Sequence, residues 1–168
     1  MIEIRPLRPM DDRTRFQSGN PDLDRFFKLY AGQNQFRHHV GTTYVAVEDQ
    51  EIKGYATISA SHIEIEFLKE PQKKKLPQYP LPVLRLARLA ISEHSQGQGI
   101  GLQLLKTVFD LAKEMRQKFG CVGIVVDAKP EAVEFYSRYG FERIDVKQGK
   151  LADRPEPIQM FLALKSIP

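Results

Sequence analysis

The chain has 168 residues, 42% of them hydrophobic, with a formal net charge of +4 at pH 7 and a single cysteine. The length suits one domain with one core, and one cysteine excludes a disulfide framework and a cysteine-based zinc site. No apolar run approaches the roughly 20 residues of a membrane-spanning helix, and no signal peptide is evident. We therefore expect a single cytoplasmic domain over residues 1–168, with no membrane partner.

The first third of the chain combines strand and helix patterns. Residues 1–7 alternate between apolar and charged side chains, which predicts a first strand. Asn20 and Pro21 are typical of a helix start, as N-cap and first-turn residue. The helix that follows has one wide apolar face, formed by Leu23, Phe26, Phe27, Tyr30 and Ala31. Residues 42–47 and 54–61 are then predicted to be two strands joined by a polar hairpin turn.

A loop is predicted at residues 69–82, which contain four prolines. It carries the basic run Lys73, Lys74 and Lys75. Such a run is usually a solvated surface, and contact with a polyanion is the alternative.

The central stretch, residues 84–119, joins an apolar strand to an amphipathic helix through Gly97, Gly99 and Gly101. The predicted apolar stripe of the helix consists of Leu105, Val108, Ala112, Met115 and Phe119. The first N–H groups of a helix attract anions, and glycine lets a ligand approach the backbone closely. This pattern predicts a phosphate cradle. Its spacing differs from both the Walker loop and the dinucleotide fingerprint, which favours a pyrophosphate of another kind.

The apolar strand before this loop changes phase. Leu84 and Leu86 share one parity, whereas Leu89 and Ile91 share the other. Because a strand alternates its faces with a period of two, the change predicts a bulge near residues 87–88.

The last third predicts further α/β structure. Residues 122–126 form a continuous apolar strand, and a helix then runs from Pro130 to a glycine cap at Gly140. Residues 141–146 and 158–164 are the final predicted strands. The order predicts an α/β fold with one central mixed sheet and helices on both faces.

Two motifs resemble those of the GCN5-related N-acetyltransferase (GNAT) family. The sequence QGQGIG at 96–101 resembles the coenzyme A pyrophosphate loop of the family, and FYSRYGF at 135–141 resembles its second motif. The resemblance extends from Ile2 to about Leu164. It implies N-acetyltransferase activity with acetyl-CoA as co-substrate, no metal, and a mostly antiparallel sheet splayed at a bulged strand.

The resemblance also implies which residues bind acetyl-CoA. The pyrophosphate would contact Gln96, Gly97, Gln98, Gly99, Ile100, Gly101 and Leu102. The pantetheine arm would pair with the backbone of Leu89, Ala90 and Ile91, as a ligand at a sheet edge. A backbone N–H near Leu89 would stabilise the oxyanion. Many members place an asparagine at the position of Lys129, so that contact is not assigned here.

Tyr136 is the candidate for stabilising the departing thiolate, because a phenol is protonated at neutral pH. A core tyrosine is the alternative, and Tyr139 is the weaker candidate. No general base is evident; His62, Glu64 and Glu66 are options by location. An α-amine, with a pKa of about 7.7–8.0, is partly neutral without a base, which favours an α-amine acceptor.

The other titratable side chains are assigned no chemistry. His38, His39 and His94 lack the spacing of a metal site. Cys121 is predicted to be an inert core thiol.

A narrower resemblance points to the toxin branch of the family. It rests on GNPDLDRF at 19–26, RLAI at 88–91 and VDA at 126–128, although members usually have a cysteine where this chain has Ser18. Those toxins acetylate the α-amine of aminoacyl-tRNA, block translation, and are neutralised by a ribbon-helix-helix antitoxin. The same is expected here, together with a homodimer. Candidate tRNA contacts are Lys73, Lys74, Lys75, Arg85 and Arg88.

Two alternatives remain open at this point. The chain could be an acetyltransferase for a small amine or a protein N-terminus, or a non-catalytic regulatory module that binds acetyl-CoA. The basic surface could also be unrelated to RNA.

Overall fold

The computed structural model describes residues 1–64, 80–144 and 157–166. The chain divides into two compact units. Unit 1 comprises Met1–Ser59 and Leu86–Asp110, and unit 2 comprises Ala60–Arg85 and Leu111–Pro168. The single domain predicted over residues 1–168 stays a prediction.

Seven strands in these described ranges form one sheet in the order β1-β2-β3-β4-β5-β7-β6. They are β1 (Glu3–Pro6), β2 (Thr42–Glu48), β3 (Glu51–Ile63), β4 (Leu81–Ile91), β5 (Gly123–Ala128), β6 (Glu142–Arg143) and β7 (Ile158–Ala163). The pairs β1–β2, β2–β3, β5–β7 and β6–β7 are antiparallel. The predicted α/β class with a mostly antiparallel sheet is confirmed.

Four α-helices accompany the sheet in the described part of the chain. They are α1 (Pro21–Leu29), α2 (Ala31–Phe36), α3 (Ile100–Lys118) and α4 (Val133–Arg138). Short 3-10 turns lie at Glu93–Ser95, Pro130–Ala132 and Leu164–Ser166.

The predicted start of α1 is confirmed. The side chain of Asn20 accepts hydrogen bonds from the N–H groups of Asp22 at 3.1 Å and Leu23 at 3.2 Å, and Pro21 begins the helix. Tyr30 was expected on the apolar face but is 38% exposed. It lies at the junction of α1 and α2, where the helical periodicity that placed it is interrupted.

The core of unit 1 is aromatic. The rings of Phe27 and Tyr55 stack with centroids 4.5 Å apart, and Phe16 packs edge-on against both. The Tyr55 hydroxyl donates to the carbonyl of Leu23 at 2.6 Å, which joins β3 to α1. Burial raises the pKa of Tyr55 well above its usual value. These contacts hold α1 against the sheet of unit 1.

Helix α3 confirms most of the predicted stripe. Leu105, Val108, Ala112 and Met115 are buried, whereas Phe119 is 71% exposed. The helix ends at Lys118, and Gly120 with φ +104° redirects the chain, so the helical periodicity no longer applies at Phe119.

In unit 2, Ile63, Leu81, Val83, Val125 and Phe161 form one buried cluster. The strand predicted at 122–126 extends to Ala128. The strand predicted at 141–146 is observed only as Glu142–Arg143, and residues 145–156 lie outside the described residues.

Strand β4 is continuous from Leu81 to Ile91, three residues longer at its start than the predicted strand. Leu84, Leu86 and Ala90 are buried, whereas Leu89 and Ile91 are half-buried. The bulge near residues 87–88 stays a prediction.

Candidate functional site

The glycine loop of unit 1 connects β4 to α3. Gly97 and Gly99 both have φ +81°, a conformation that strains any other residue. A Cβ atom added to either glycine would meet no heavy atom within 4 Å. The conformation therefore requires glycine, and the space beside both residues is open to a ligand.

Helix α3 begins directly after the loop, at Ile100, so Gly101 lies inside its first turn and not before the helix as expected. The N–H of Gln103 bonds to the carbonyl of Gly99 at 3.1 Å, whereas the earlier N–H groups have no acceptor within the helix. Ile100 and Leu104 are buried and anchor this end. Free N–H groups at the start of a 19-residue helix suit an anion.

Gln96 holds the loop in place. Its side-chain amide donates to the carbonyl of Ser18 at 3.0 Å and to that of Ile91 at 3.2 Å. The backbone N–H of Ser92 bonds to the carbonyl of Lys53 at 2.8 Å. The loop is therefore tied to the chain before α1, to the end of β4 and to β3.

The end of β4 packs tightly on β3 at Gly54. A Cβ atom at Gly54 would lie 2.9 Å from Cδ1 of Ile91 and 3.1 Å from the carbonyl oxygen of Ala90. Gly54 thus permits the close approach that positions two of the expected pantetheine contacts. Sequence reasoning assigned it no role, although a glycine inside a strand pattern is itself a signal of close backbone approach.

Arg88 is also packed within unit 1. Its guanidinium carbon lies 3.7 Å from the ring centroid of Phe26, in a cation–π arrangement. This side chain was expected to contact tRNA, and here it stabilises the packing of β4 on α1.

In unit 2, Tyr136 lies on α4 and is 4% exposed. Its ring packs edge-on against Phe135 and Phe141, with centroids 5.3 and 5.5 Å away. Gly140, with φ +95°, ends the helix and lets the N–H of Phe141 bond to the carbonyl of Tyr136 at 3.2 Å. The second motif is therefore spaced as the end of a helix with a C-terminal glycine cap. The cap brings Phe141 back against the ring of Tyr136.

Burial, and to a lesser extent the carboxylate of Asp127, raise the pKa of Tyr136 well above its usual value. The phenol therefore stays protonated at neutral pH and can donate a hydrogen bond. The role predicted for Tyr136, stabilising the departing thiolate, requires this protonation state.

Asp127 is a residue that sequence reasoning left without a role. Its Oδ2 accepts hydrogen bonds from Nε of Arg85 at 2.7 Å and from Nη2 of the same guanidinium, and its Oδ1 accepts one from Nε2 of Gln159 at 3.2 Å. Arg85 is thus engaged within unit 2, while its side chain stays 44% exposed. In the sequence, only the VDA motif at 126–128 pointed to a role for Asp127.

Lys73, Lys74, Lys75 and Glu66 lie outside the described residues, and His62 and Glu64 are exposed at the end of β3.

Cys121 is buried, and burial raises the pKa of its thiol. No cluster of three or more His, Cys, Asp or Glu residues suited to a metal occurs in the described ranges. Among the helices seen in those same ranges, none is long and apolar enough to cross a membrane.

Unit 1 thus contains an open glycine loop at a helix N-terminus, and unit 2 contains a buried, protonated tyrosine. The family described as Acetyltransferase (GNAT) domain matches residues 18–151. The chain therefore belongs to the GNAT acetyltransferase family. It is an N-acetyltransferase with acetyl-CoA as its donor, as the two motifs predicted.

The chain is also similar to known proteins over most of its length. A tRNA-acetylating toxin from Mycobacterium tuberculosis is 28% identical over 139 residues, which cover 82% of this chain and 82% of that protein. The structure of AtaT complexed with acetyl-methionyl-tRNAfMet has a TM-score of 0.86 and 25% identity, and covers 99% of this chain and 96% of its own. The structure of AtaTR bound with AcCoA has a TM-score of 0.80 and 26% identity, with coverages of 98% and 95%.

Proposed function

We propose that this chain is a toxin that uses acetyl-CoA to acetylate the α-amino group of aminoacyl-tRNA and so blocks translation in the cytoplasm. The observation that carries the proposal is the likeness of nearly the whole chain to AtaT in complex with acetyl-methionyl-tRNAfMet. The tRNA-acetylating relative, matched over most of its own length, supports it independently.

The glycine loop fits the pyrophosphate of acetyl-CoA. A side chain at Gly97 or Gly99 would occupy space that is open, and the free N–H groups at the start of α3 supply donors for phosphate oxygens. We assign the pyrophosphate to residues 96–102 and the pantetheine arm to the backbone of residues 89–91. Gln96 has a second role, because its side chain braces the loop.

Acetyl transfer forms a bond between the amine nitrogen and the carbonyl carbon, breaks the bond from that carbon to sulfur, and releases one proton from the amine nitrogen to solvent. We assign stabilisation of the oxyanion to a backbone N–H near Leu89. Tyr136 donates a hydrogen bond to the departing sulfur. Because the pKa of Tyr136 is raised above that of a thiol, about 8.5, the phenol stabilises the thiolate by a hydrogen bond and keeps its proton.

The proposed α-amine acceptor does not require a general base. An α-amino group has a pKa of about 7.7–8.0, so a useful fraction is neutral at pH 7. A lysine ε-amine, with a pKa of about 10.4, would need a base. His62 and Glu64, which are exposed, are candidates for such a base, and an α-amine acceptor makes either dispensable.

Contacts with tRNA are proposed for the basic residues predicted from the sequence, Lys73, Lys74, Lys75, Arg85 and Arg88. Arg85 and Arg88 each have a partner within their own unit, and such a partner orients a guanidinium without consuming all five of its N–H donors. A salt-dependent affinity for tRNA is the expected consequence of phosphate contacts.

We also propose a homodimer and a ribbon-helix-helix antitoxin as partner. The support is the resemblance of residues 19–26 and 88–91 to the toxin branch. Co-purification with the product of an adjacent gene for a small DNA-binding protein tests the antitoxin, and light scattering of the isolated chain tests the dimer.

The decisive test of the function is translation in a cell-free extract, with and without acetyl-CoA, for the wild type and Tyr136→Phe. We expect the wild type to stop synthesis only with acetyl-CoA, the mutant to permit it, and acetylated aminoacyl-tRNA to be recoverable. Continued synthesis in every reaction would contradict the toxin proposal and redirect the search to small amines and protein N-termini. Acetyl-CoA binding without any turnover would favour the regulatory module.

A further inference from the structure

A short segment before α1, residues 17–19, lies against the turn that leads into the glycine loop. The backbone N–H of Glu93 bonds to the carbonyl of Gln17 at 2.8 Å. The side-chain amide of Gln96 donates to the carbonyl of Ser18 at 3.0 Å. All of these residues belong to unit 1. The segment is therefore in direct contact with the residue that immediately precedes the first glycine of the loop.

Gly19 lets this segment approach the turn closely. It has φ +94°, and a Cβ atom there would lie 3.1 Å from Oε1 of Glu93. Both observations favour glycine, because the left-handed conformation strains other residues and the glutamate side chain leaves little room. Gly19 thus turns the chain from its contact with the loop into the cap of α1 at Asn20.

The carboxylate of Asp24, in the first turn of α1, holds the same segment from the other side. The N–H of Ser18 donates to Oδ1 at 2.9 Å and to Oδ2 at 3.1 Å, and the hydroxyl of Ser18 donates to Oδ1 at 2.6 Å. The hydroxyl oxygen also accepts a hydrogen bond from the N–H of Asn20 at 3.2 Å. The N–H and the carbonyl of Ser18 are thus held by two different side chains, those of Asp24 and Gln96.

The cap of the helix is provided by Asn20 and not by Asp24. The side chain of Asn20 accepts hydrogen bonds from the N–H groups of Asp22 and Leu23. The carboxylate of Asp24 is half-buried, and both of its oxygens accept from Ser18, outside the helix. Hydrogen bonds to a carboxylate are stronger than those between neutral groups, so this contact fixes the segment firmly.

Both ends of this connection are attached to β3. The hydroxyl of Tyr55 donates to the carbonyl of Leu23, in the first turn of α1, at 2.6 Å. The N–H of Ser92, just before the turn, bonds to the carbonyl of Lys53 at 2.8 Å. Lys53 and Tyr55 lie two residues apart in the same strand. Helix α1 and the turn are therefore fixed to β3 separately, and Ser18 links them to each other.

We infer that Asp24 is a positioning residue for the acetyl donor: through Ser18 and Gln96, it holds the glycine loop in the geometry that binds the pyrophosphate of acetyl-CoA. The inference rests on the proposed assignment of the pyrophosphate to residues 96–102. It gives the sequence GNPDLD at 19–24 a role in donor binding, whereas the resemblance alone associated that motif with the toxin branch.

Preorganisation explains how a carboxylate outside the loop affects the affinity for the donor. Glycine has more conformational freedom than other residues, so a loop that contains Gly97 and Gly99 loses more entropy when a ligand orders it. Contacts that hold the loop before binding reduce this loss. Removing the carboxylate of Asp24 releases Ser18, which is the acceptor for Gln96. The variant should therefore bind the pyrophosphate more weakly, while the pantetheine contacts proposed on β4 persist.

The test compares acetyl-CoA with S-acetylpantetheine, a donor that lacks the pyrophosphate and the nucleoside. Calorimetry measures the Kd for acetyl-CoA, and competition against acetyl-CoA measures the Kd for S-acetylpantetheine. We expect Asp24→Asn to raise the Kd for acetyl-CoA at least about threefold, because the isosteric amide removes the charge and one acceptor oxygen. The Kd for S-acetylpantetheine should change less than about twofold, since its contacts are independent of the loop.

Two comparisons separate this role from general damage to α1. Asp22→Asn makes the same change in the same turn, at an exposed side chain, and should leave both Kd values unchanged. In a double-mutant cycle, Gln96→Ala should raise the Kd for acetyl-CoA less in the Asp24→Asn background than in the wild type. The two effects are not additive because both residues act through Ser18.

Ser18→Ala decides the question if near-UV circular dichroism shows that Asp24→Asn does not fold. It removes the hydroxyl that donates to Asp24 at 2.6 Å and keeps the backbone, and it should also raise the Kd for acetyl-CoA selectively. Three results would overturn the inference: an equal rise in Kd for both donors, an effect of Asp24→Asn no larger than that of Asp22→Asn, or additive effects with Gln96→Ala. An unchanged Kd in Ser18→Ala would also overturn it.

These measurements need no acceptor, so they are separate from the test of the proposed function. If acetyl-CoA binds but no aminoacyl-tRNA is acetylated, the toxin proposal fails while the Kd values still decide this inference. If the wild type binds acetyl-CoA no more tightly than S-acetylpantetheine, the assignment of the pyrophosphate fails and the inference falls with it.

Discussion

The side-chain amide of Gln96 donates a hydrogen bond at 3.0 Å to the backbone carbonyl of Ser18, 78 residues earlier in the chain. This bond joins the glycine loop to the segment that begins α1. Ser18 in turn donates through its hydroxyl to Asp24 at 2.6 Å, inside the helix. The two sequence motifs that carry the resemblance in unit 1 are therefore neighbours in space.

Gln96→Ala should weaken acetyl-CoA binding by loosening this brace. The change removes two hydrogen bonds at 3.0 and 3.2 Å, each with a net contribution of about 0.5–1.5 kcal/mol. We expect a several-fold rise in the Kd for acetyl-CoA and a small fall in Tm. Isothermal titration calorimetry checks the affinity. Gln103→Ala is the matched control, because Gln103 is exposed on α3 just beyond the residues assigned to the pyrophosphate; equal effects of both variants would contradict the bracing role.

Gly99→Glu should abolish acetyl-CoA binding. The side chain would place bulk and negative charge in the space assigned to the pyrophosphate. The position also has φ +81°, so backbone strain must be separated from the loss of the site. Gly120→Glu is the control, since that residue has φ +104° and lies in unit 2, where an added Cβ meets only Pro82 at 3.7 Å. Unchanged affinity in Gly99→Glu would mean that the site lies elsewhere.

Tyr136→Phe should lower kcat by roughly 10²–10³ and leave the Kd for acetyl-CoA nearly unchanged, because the hydroxyl acts on charge that develops only as the thiolate departs. Single-turnover acetylation and calorimetry measure the two quantities separately. Tyr139→Phe, whose ring packs on Phe135 at 5.2 Å, is the control and should retain activity. Wild-type turnover in Tyr136→Phe would remove the hydroxyl from the mechanism.

The raised pKa values of Tyr136 and Tyr55, both caused chiefly by burial, predict a loss of stability at high pH. An unfolded tyrosine ionises near pH 10, whereas the folded protein keeps these two phenols neutral above that value. The folded state therefore retains protons that the unfolded state releases, so the contribution of these two phenols to stability is constant below about pH 10 and falls as pH rises further.

Tm measured between pH 8 and pH 11 checks this expectation. Replacing either tyrosine by phenylalanine removes one of the two ionisations, so the decline with pH should be shallower in Tyr136→Phe than in the wild type. Parallel declines in the two proteins would show that the phenol of Tyr136 ionises freely in the folded state.

The sequence by itself determined the features that depend on local geometry. The cap at Asn20, the glycines with positive φ, and the buried stripe of α3 follow from hydrogen bonds and periodicities that span only a few residues. The predictions of buried residues were wrong where such a pattern ends. Tyr30 and Phe119 continue a helical spacing, but each lies just beyond the last residue of its helix and is exposed.

Only the tertiary structure decided which distant residues meet. Asp127, Arg85 and Gln159 come from strands that neighbour one another in the order β4-β5-β7, and their contact depends on the pairing of those strands. An alternating pattern specifies which face a side chain occupies, but the residue opposite it is set by register and strand order. The physical reason is that periodicity is a property of one segment, whereas pairing is a property of the whole sheet.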